Sequence, residues 1–325
     1  MSKVRILFLG TPDFAVASLQ QLIADSDHYE IVGVVTQPDR PAGRKMQLRA
    51  SPVKELALVH QLPVFTPESV NTPEFLQTLA ELGAESGVVV AYGQILGQKF
   101  LDSFPKGCVN LHGSLLPRWR GAAPIQRAIM AGDTETGVAL QVVVKKLDAG
   151  PVIGTRKLEL SEQSYATVVY TELKALGAEL LHVEYMDFLR GQLIPKAQDE
   201  SQVTIAPKID KTEARIDWSL SSVKISQLVR GLSMGPQTYT TRAGQTLKIL
   251  QVRADRSLHE GAEPDVPLFG ESMPGRVVKV QDSSFFVECG QGVLEVIEVQ
   301  PESRSRQSVE QYLRGYPLEI GEILR

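Results

Sequence analysis

Gly87-Val88-Val89-Val90-Ala91 passes through five positions without a polar side chain. A strand with one wet face alternates apolar and polar residues. A run without alternation reads as a strand covered on both faces, as in a parallel sheet. The same pattern recurs on either side. Val4 to Leu9 is a short apolar run ending at Gly10, followed by Thr11-Pro12-Asp13 and a helically periodic stretch from Phe14 to Ile23. Ile31 to Thr36 is another apolar run, ending at Gln37-Pro38-Asp39. Helical periodicity covers Pro52 to His60, Thr72 to Leu82, Ala122 to Met130 and Tyr165 to Leu189. Strand alternating with helix predicts an α/β fold, a Rossmann-like domain over residues 1–190 with an open, mostly parallel sheet. Ligand sites in such sheets lie beyond the carboxyl ends of the strands.

After Arg190 the pattern changes. Residues 191–208 are polar, contain Pro195 and Pro207, and show no sustained period, so they read as a linker. From residue 209 to 325 a second unit is expected. Arg215-Ile216-Asp217-Trp218-Ser219 opens it, and a helix is predicted over Ser222 to Leu232. Short strand-like segments follow at Tyr239 to Thr241, Thr246 to Ala254, Gly275 to Val280, Ser284 to Glu288 and Val293 to Gln300. Turn residues separate them, as in a small β-barrel. The stretch from Asp255 to Pro274 is acidic and proline-containing, and is expected to be a long loop.

Composition sets outer bounds. The chain has 325 residues, 43% hydrophobic and 22% charged, with a formal net charge of −4. That balance is ordinary for a soluble globular protein and does not point to a nucleic-acid partner. Cys108 and Cys289 lie far apart in apolar runs, which excludes a disulfide framework and any zinc-type spacing, so no metal is expected. The apolar stretch at the N-terminus is too short for a signal peptide, and no run approaches the roughly 20 apolar residues of a membrane span. A cytoplasmic location is expected. Gly10-Thr11-Pro12 has neither the glycine fingerprint of a dinucleotide site nor the Gly-Lys-Ser/Thr of a P-loop.

The chemistry is concentrated in Asn110-Leu111-His112-Gly113-Ser114-Leu115-Leu116-Pro117, answered 31 residues after Pro117 by Asp148 in Leu147-Asp148-Ala149-Gly150. Successive side chains of a strand face opposite sides, so Asn110 and His112 share a face. An amide donor for a developing oxyanion, an imidazole proton shuttle and a carboxylate partner suit transfer of a carbonyl group. Taken singly, each residue has a blander reading: a structural histidine, or turn residues near glycine.

In this order and spacing the three resemble the folate-dependent formyltransferases. Gly10-Thr11-Pro12-Asp13-Phe14, residues 36–44, Ser51-Pro52-Val53-Lys54, Ala91-Tyr92-Gly93-Gln94-Ile95-Leu96, residues 110–127 and Glu213-Ala214-Arg215-Ile216-Asp217-Trp218 look like the methionyl-tRNA formyltransferase branch. The resemblance implies that Asn110, His112 and Asp148 are catalytic, with Asp148 positioning His112. It implies that Ser114, Leu115, Leu116 and Pro117 line the site of 10-formyltetrahydrofolate. It also implies that the second unit is an OB-like barrel that holds initiator Met-tRNA. A monomer is expected.

The basic loop with Arg40, Arg44, Lys45 and Arg49 reads in isolation as a solvated surface loop. The resemblance makes Arg40, Arg44 and Lys45 tRNA contacts near the acceptor end. Two places depart from the family pattern. Ser233-Met234-Gly235-Pro236 stands where the family has Asn-Pro-Trp-Pro, and Ala149-Gly150-Pro151 where it has Thr-Gly-Asp. Residues 209–325 also carry 14 Lys and Arg against 16 Asp and Glu, so a tRNA-binding barrel requires its cations on one face. Competing readings are a formyltransferase for a small amine, and a folate-sensing or RNA-binding protein with a relic active site.

Overall fold

The computed structural model describes residues 3–42, 47–254 and 272–325. The first sheet begins with β1 (Val4–Gly10) and β2 (Tyr29–Val35). A short hairpin, β3 (Arg40–Ala42) and β4 (Gln47–Arg49), precedes β5 (Val64–Phe65), β6 (Ser86–Val90) and β7 (Cys108–His112). The two-residue β8 (Arg120–Gly121) comes next, then β9 (Glu135–Val142) and β10 (Val152–Glu159). The seven-stranded order is β10-β9-β7-β6-β1-β2-β5. The β1–β2, β1–β6, β2–β5 and β6–β7 ladders are parallel, and β7–β9 is antiparallel.

All five residues of β6 are buried, which is what a run without polar alternation requires of a central parallel strand. The chain winds outward from β1 to β5, then restarts at β6 on the other side. The loops that leave β1, β2 and β6 are tied at one point. The Tyr92 carbonyl accepts from Thr11 Oγ1 at 3.0 Å and from Gln37 Nε2 at 3.2 Å.

The helices of the first half are α1 (Val16–Ala24), α2 (Pro52–Val59), α3 (Pro73–Leu82), the short α4 (Gln98–Leu101), α5 (Pro124–Ala131) and α6 (Ala166–Leu189). Local chemistry sets their starts. Ser51 caps α2 by accepting from the Lys54 N–H, Thr72 caps α3 by accepting from the Phe75 N–H, and proline opens both helices. Gly83, at φ +57, ends α3. Gly177 lets α6 lie close over β7; a Cβ there would meet the Leu111 side chain at 2.4 Å.

The stretch expected to be a free linker is ordered against the first sheet. β11 (Ile205–Ala206) pairs in parallel with β8, and Lys196 bridges Val152. Compact packing divides the chain discontinuously. One unit comprises residues 1–124, 135–158 and 170–206; the other comprises 125–134, 159–169 and 207–325.

In the second unit α7 (Ser222–Gly231) precedes β12 (Tyr239–Arg242), β13 (Gln245–Ala254), β14 (Val277–Val280), β15 (Phe285–Glu288), β16 (Val293–Pro301) and β17 (Gln307–Ser308). α8 (Val309–Gly315) follows. The order is β12-β13-β16-β15-β14, with β17 on β16. The curled sheet is barrel-like, and the last residues tie its edges. The Arg325 N–H donates to the Thr241 carbonyl at 2.9 Å, and the Leu324 N–H to the Gly275 carbonyl at 2.8 Å. Trp218 is a core anchor of this unit, with its indole Nε1 donating to Thr240 Oγ1 at 3.0 Å.

Candidate active site

His112 ends β7 at the carboxyl edge of the parallel strands, and its side chain is almost wholly buried. Its Nε2 lies 2.9 Å from the Trp119 carbonyl oxygen. A carbonyl only accepts, so Nε2 carries the proton, and in the neutral ring the lone pair sits on Nδ1. Nδ1 lies 3.7 Å from Asp148 Oδ2, within ion-pair range but long for a hydrogen bond. The Trp119 carbonyl is therefore the group that orients the ring, and Asp148 faces the nitrogen that can exchange a proton. Trp119 itself sits at φ +65, and its N–H donates to Thr204 Oγ1 at 2.8 Å.

Asn110 stands opposite Gln141 in the β7–β9 ladder, two residues from His112 and on the same face. Its half-buried carboxamide has no hydrogen-bond partner among the described residues. Asp148 reaches this pair from the loop after β9, which folds back so that the Val142 N–H donates to the Pro151 carbonyl at 2.9 Å. Asp148 has φ +47, a left-handed conformation that aspartate tolerates better than most residues. Its Oδ2 accepts from the Gly121 N–H at 2.9 Å and its Oδ1 from Gln141 Nε2 at 3.2 Å. The structure thus brings His112 and Asp148 together, with Asn110 two residues away on the same strand and opposite the Gln141 that bonds Asp148.

The Ser114 to Pro117 turn carries His112 towards Trp119. Ser114 is fully buried and donates to the Arg118 carbonyl at 2.7 Å, so its hydroxyl closes the turn. Leu116 is buried, Leu115 and Pro117 are half-buried, and the Leu116–Pro117 peptide is cis. Arg40 is exposed on β3 and pairs with Glu68 at 2.9 Å. Arg44 and Lys45 lie outside the described residues, as does most of the Asp255–Pro274 loop.

Sequence reading missed four contributors: Gln141, Gln198, the Trp119 carbonyl and the Gly121 N–H. Gln141 left a signal, a buried amide inside the apolar run Val138-Ala139-Leu140-Gln141-Val142. Gln198 left none, because its neighbours are polar. Gln198 Nε2 donates to the carbonyls of Asp148 at 2.8 Å and Gly150 at 2.7 Å. Its Oε1 accepts from Arg120 Nε at 3.0 Å and Nη2 at 2.8 Å. Arg120 also pairs with Glu200, which Lys146 meets from the other side at 2.7 Å. Hydrogen bonds from Arg120 and then Lys146 bring the Glu200 carboxyl down to about 2.

Known proteins share this architecture. The formyl transferase family matches residues 3–185, and the formyl transferase C-terminal domain matches residues 208–317. The methionyl-tRNA formyltransferase of Bdellovibrio bacteriovorus is 53% identical over 325 residues, covering 100% of this chain and 99% of that protein. The Methylococcus capsulatus enzyme of the same name is 43% identical, over 97% of this chain and 98% of its own length. Among solved structures, HypX from Aquifex aeolicus in complex with tetrahydrofolic acid superposes with a TM-score of 0.62 at 16% identity. That match covers 100% of this chain and 51% of HypX. An N-formyltransferase from Helicobacter canadensis reaches a TM-score of 0.65 at 15% identity, over 92% of this chain and 99% of that one. With both domains matched and full-length relatives at these identities, the chain belongs to the methionyl-tRNA formyltransferase family.

Proposed function

We propose that this chain transfers the formyl group of 10-formyltetrahydrofolate to the amino group of methionine on initiator tRNA. The observation that carries the reading is the unpartnered Asn110 amide beside a histidine whose tautomer leaves Nδ1 facing a carboxylate. The amine forms a bond to the formyl carbon, and the bond from that carbon to the folate nitrogen breaks. The amine loses one proton, and the departing folate nitrogen gains one. Asn110 donates to the formyl oxygen as negative charge gathers there. His112 takes and returns a proton at Nδ1 while Nε2 stays on the Trp119 carbonyl. The Asp148 carboxylate stabilises the imidazolium and accepts from the attacking amine.

The Ser114–Pro117 turn borders the folate, and Arg40, Arg44 and Lys45 contact the tRNA. The protein works as a monomer in the cytoplasm. The family relationship and the arginine-bearing hairpin support tRNA as the substrate. The test is a side-by-side formylation assay with charged initiator Met-tRNA, elongator Met-tRNA and small amines. Initiator Met-tRNA is expected to be used best by a wide margin. Equal or better use of a free small amine would overturn the tRNA assignment and leave a formyltransferase of another substrate class.

A further inference from the structure

We infer that Gln198 is a positioning residue for the reaction, holding Asp148 in place through its main chain and, by way of Gln141, through its carboxylate. The inference rests on reading Asp148 as a catalytic group. Its basis is a chain of amide orientations with one solution. Arg120 is buried and can only donate, so the Gln198 atom it touches through Nε and Nη2 must be the oxygen. The Gln198 NH2 group then faces the carbonyls of Asp148 and Gly150, and also Gln141 Oε1 at 3.3 Å. The Asp148 carboxylate only accepts, so the Gln141 NH2 group is the one directed at Oδ1, and the Gln141 oxygen is left facing Gln198. Arg120 thereby fixes the Gln198 amide, and the Gln198 and Gln141 amides together hold the turn and the carboxylate.

The main-chain part matters as much. Asp148 adopts φ +47, an uncommon conformation for a residue with a Cβ. One NH2 group bonded to the carbonyls of residues 148 and 150 clamps that turn from both sides of Ala149. Loosening it lets the carboxylate drift from His112 Nδ1, and a misplacement of about 1 Å can lower a rate about 10²-fold.

The experiment measures formylation of initiator Met-tRNA, with kcat, both KM values and melting temperature, for Gln198→Ala, Gln198→Glu, Gln141→Ala and the double variant Gln198→Ala/Gln141→Ala. Gln198→Ala is expected to lower kcat about 10- to 100-fold with both KM values near wild type. Gln198→Glu keeps an acceptor for Arg120 but has no NH2 for the two carbonyls, so it should lose at least as much. That variant also decides the matter if Gln198→Ala folds poorly. If Gln198 acts partly through Gln141, the double variant loses less than the product of the single losses. A wild-type kcat in folded Gln198→Ala or Gln198→Glu would overturn the inference, and so would losses that simply multiply. A kcat that recovers fully at a temperature where the variant is folded would reduce Gln198 to a structural role. Asp148→Ala serves as the control. If it stays active, the catalytic reading of Asp148 has failed; if it is inactive while Gln198→Ala keeps full kcat, only this inference has.

Discussion

Burial and a single carbonyl decide how His112 can act. Its Nε2 proton is committed to Trp119, which leaves proton exchange to Nδ1. Glutamine at this position reaches about as far as Nε2 and can keep the Trp119 contact, but it offers no basic nitrogen. His112→Gln is therefore expected to fold and bind folate while losing about 10²–10⁴ in rate. Asn110→Ala, which removes the proposed oxyanion donor, should cost about 10²–10³. Single-turnover formylation checks both, and near-normal turnover in His112→Gln would sink the proton-transfer role.

Burial also bears on the two cysteines. Burial pushes both thiols up, that of Cys289 to about 12. A raised thiol stays protonated until the pH approaches its own value, so at pH 8 only about one in 10⁴ would be the reactive thiolate. An alkylating reagent at pH 8 should label neither cysteine in the folded protein and both in denaturant.

At the scale of elements, the site depends on a two-residue parallel bridge. β8 and β11 meet where Gly121 has φ +123 and lies so close to Ala206 that a Cβ would stand 2.7 Å from its carbonyl oxygen. The same glycine supplies the N–H that holds Asp148. Gly121→Ala has nowhere to relax, because both the backbone angle and the facing main chain oppose it. It should destabilise by roughly 1–3 kcal/mol and lower kcat as the N–H leaves the carboxylate. Urea unfolding and formylation kinetics read the two effects separately; unchanged values in both would show that the bridge does not support the site.

At the scale of the whole molecule, the charge balance of residues 209–325 is settled by pairing. Arg242, Arg253, Arg276, Arg306 and Arg314 each face a glutamate: Glu322, Glu295, Glu288, Glu298 and Glu310 in turn. Arg215, Lys224 and Arg304 are exposed and form no ion pair with a carboxylate among the described residues. These classes should behave differently. Glu288 is fully buried against Arg276, so Arg276→Ala leaves an uncompensated carboxylate and should cost roughly 3–5 kcal/mol of stability. Lys224→Ala should leave stability unchanged. If Lys224 meets a phosphate, the salt dependence of tRNA binding should fall by a log–log slope of about 0.7–0.9. Loss of tRNA affinity in Arg276→Ala with full stability would reverse this assignment.

The period of apolar residues is a local property, and what depends on it was readable from the chain. The buried run from Gly87 to Val90, the helices beginning near Pro52 and Thr72, and the shared face of Asn110 and His112 all follow from spacings of two to four residues. Resemblance to a known family added that Asp148 belongs with them. No local pattern says that Gln198 meets Asp148 across 50 positions, that Arg120 chooses its amide orientation, or that Arg325 ties down the strand of Thr241. Those contacts join segments each of which is polar and unremarkable alone, and they exist only because packing has brought distant chain together. The polar stretch after Arg190 reads as a linker for the same reason. Its side chains find their partners in another part of the fold, and only the tertiary structure decides that they hold the Asp148 turn.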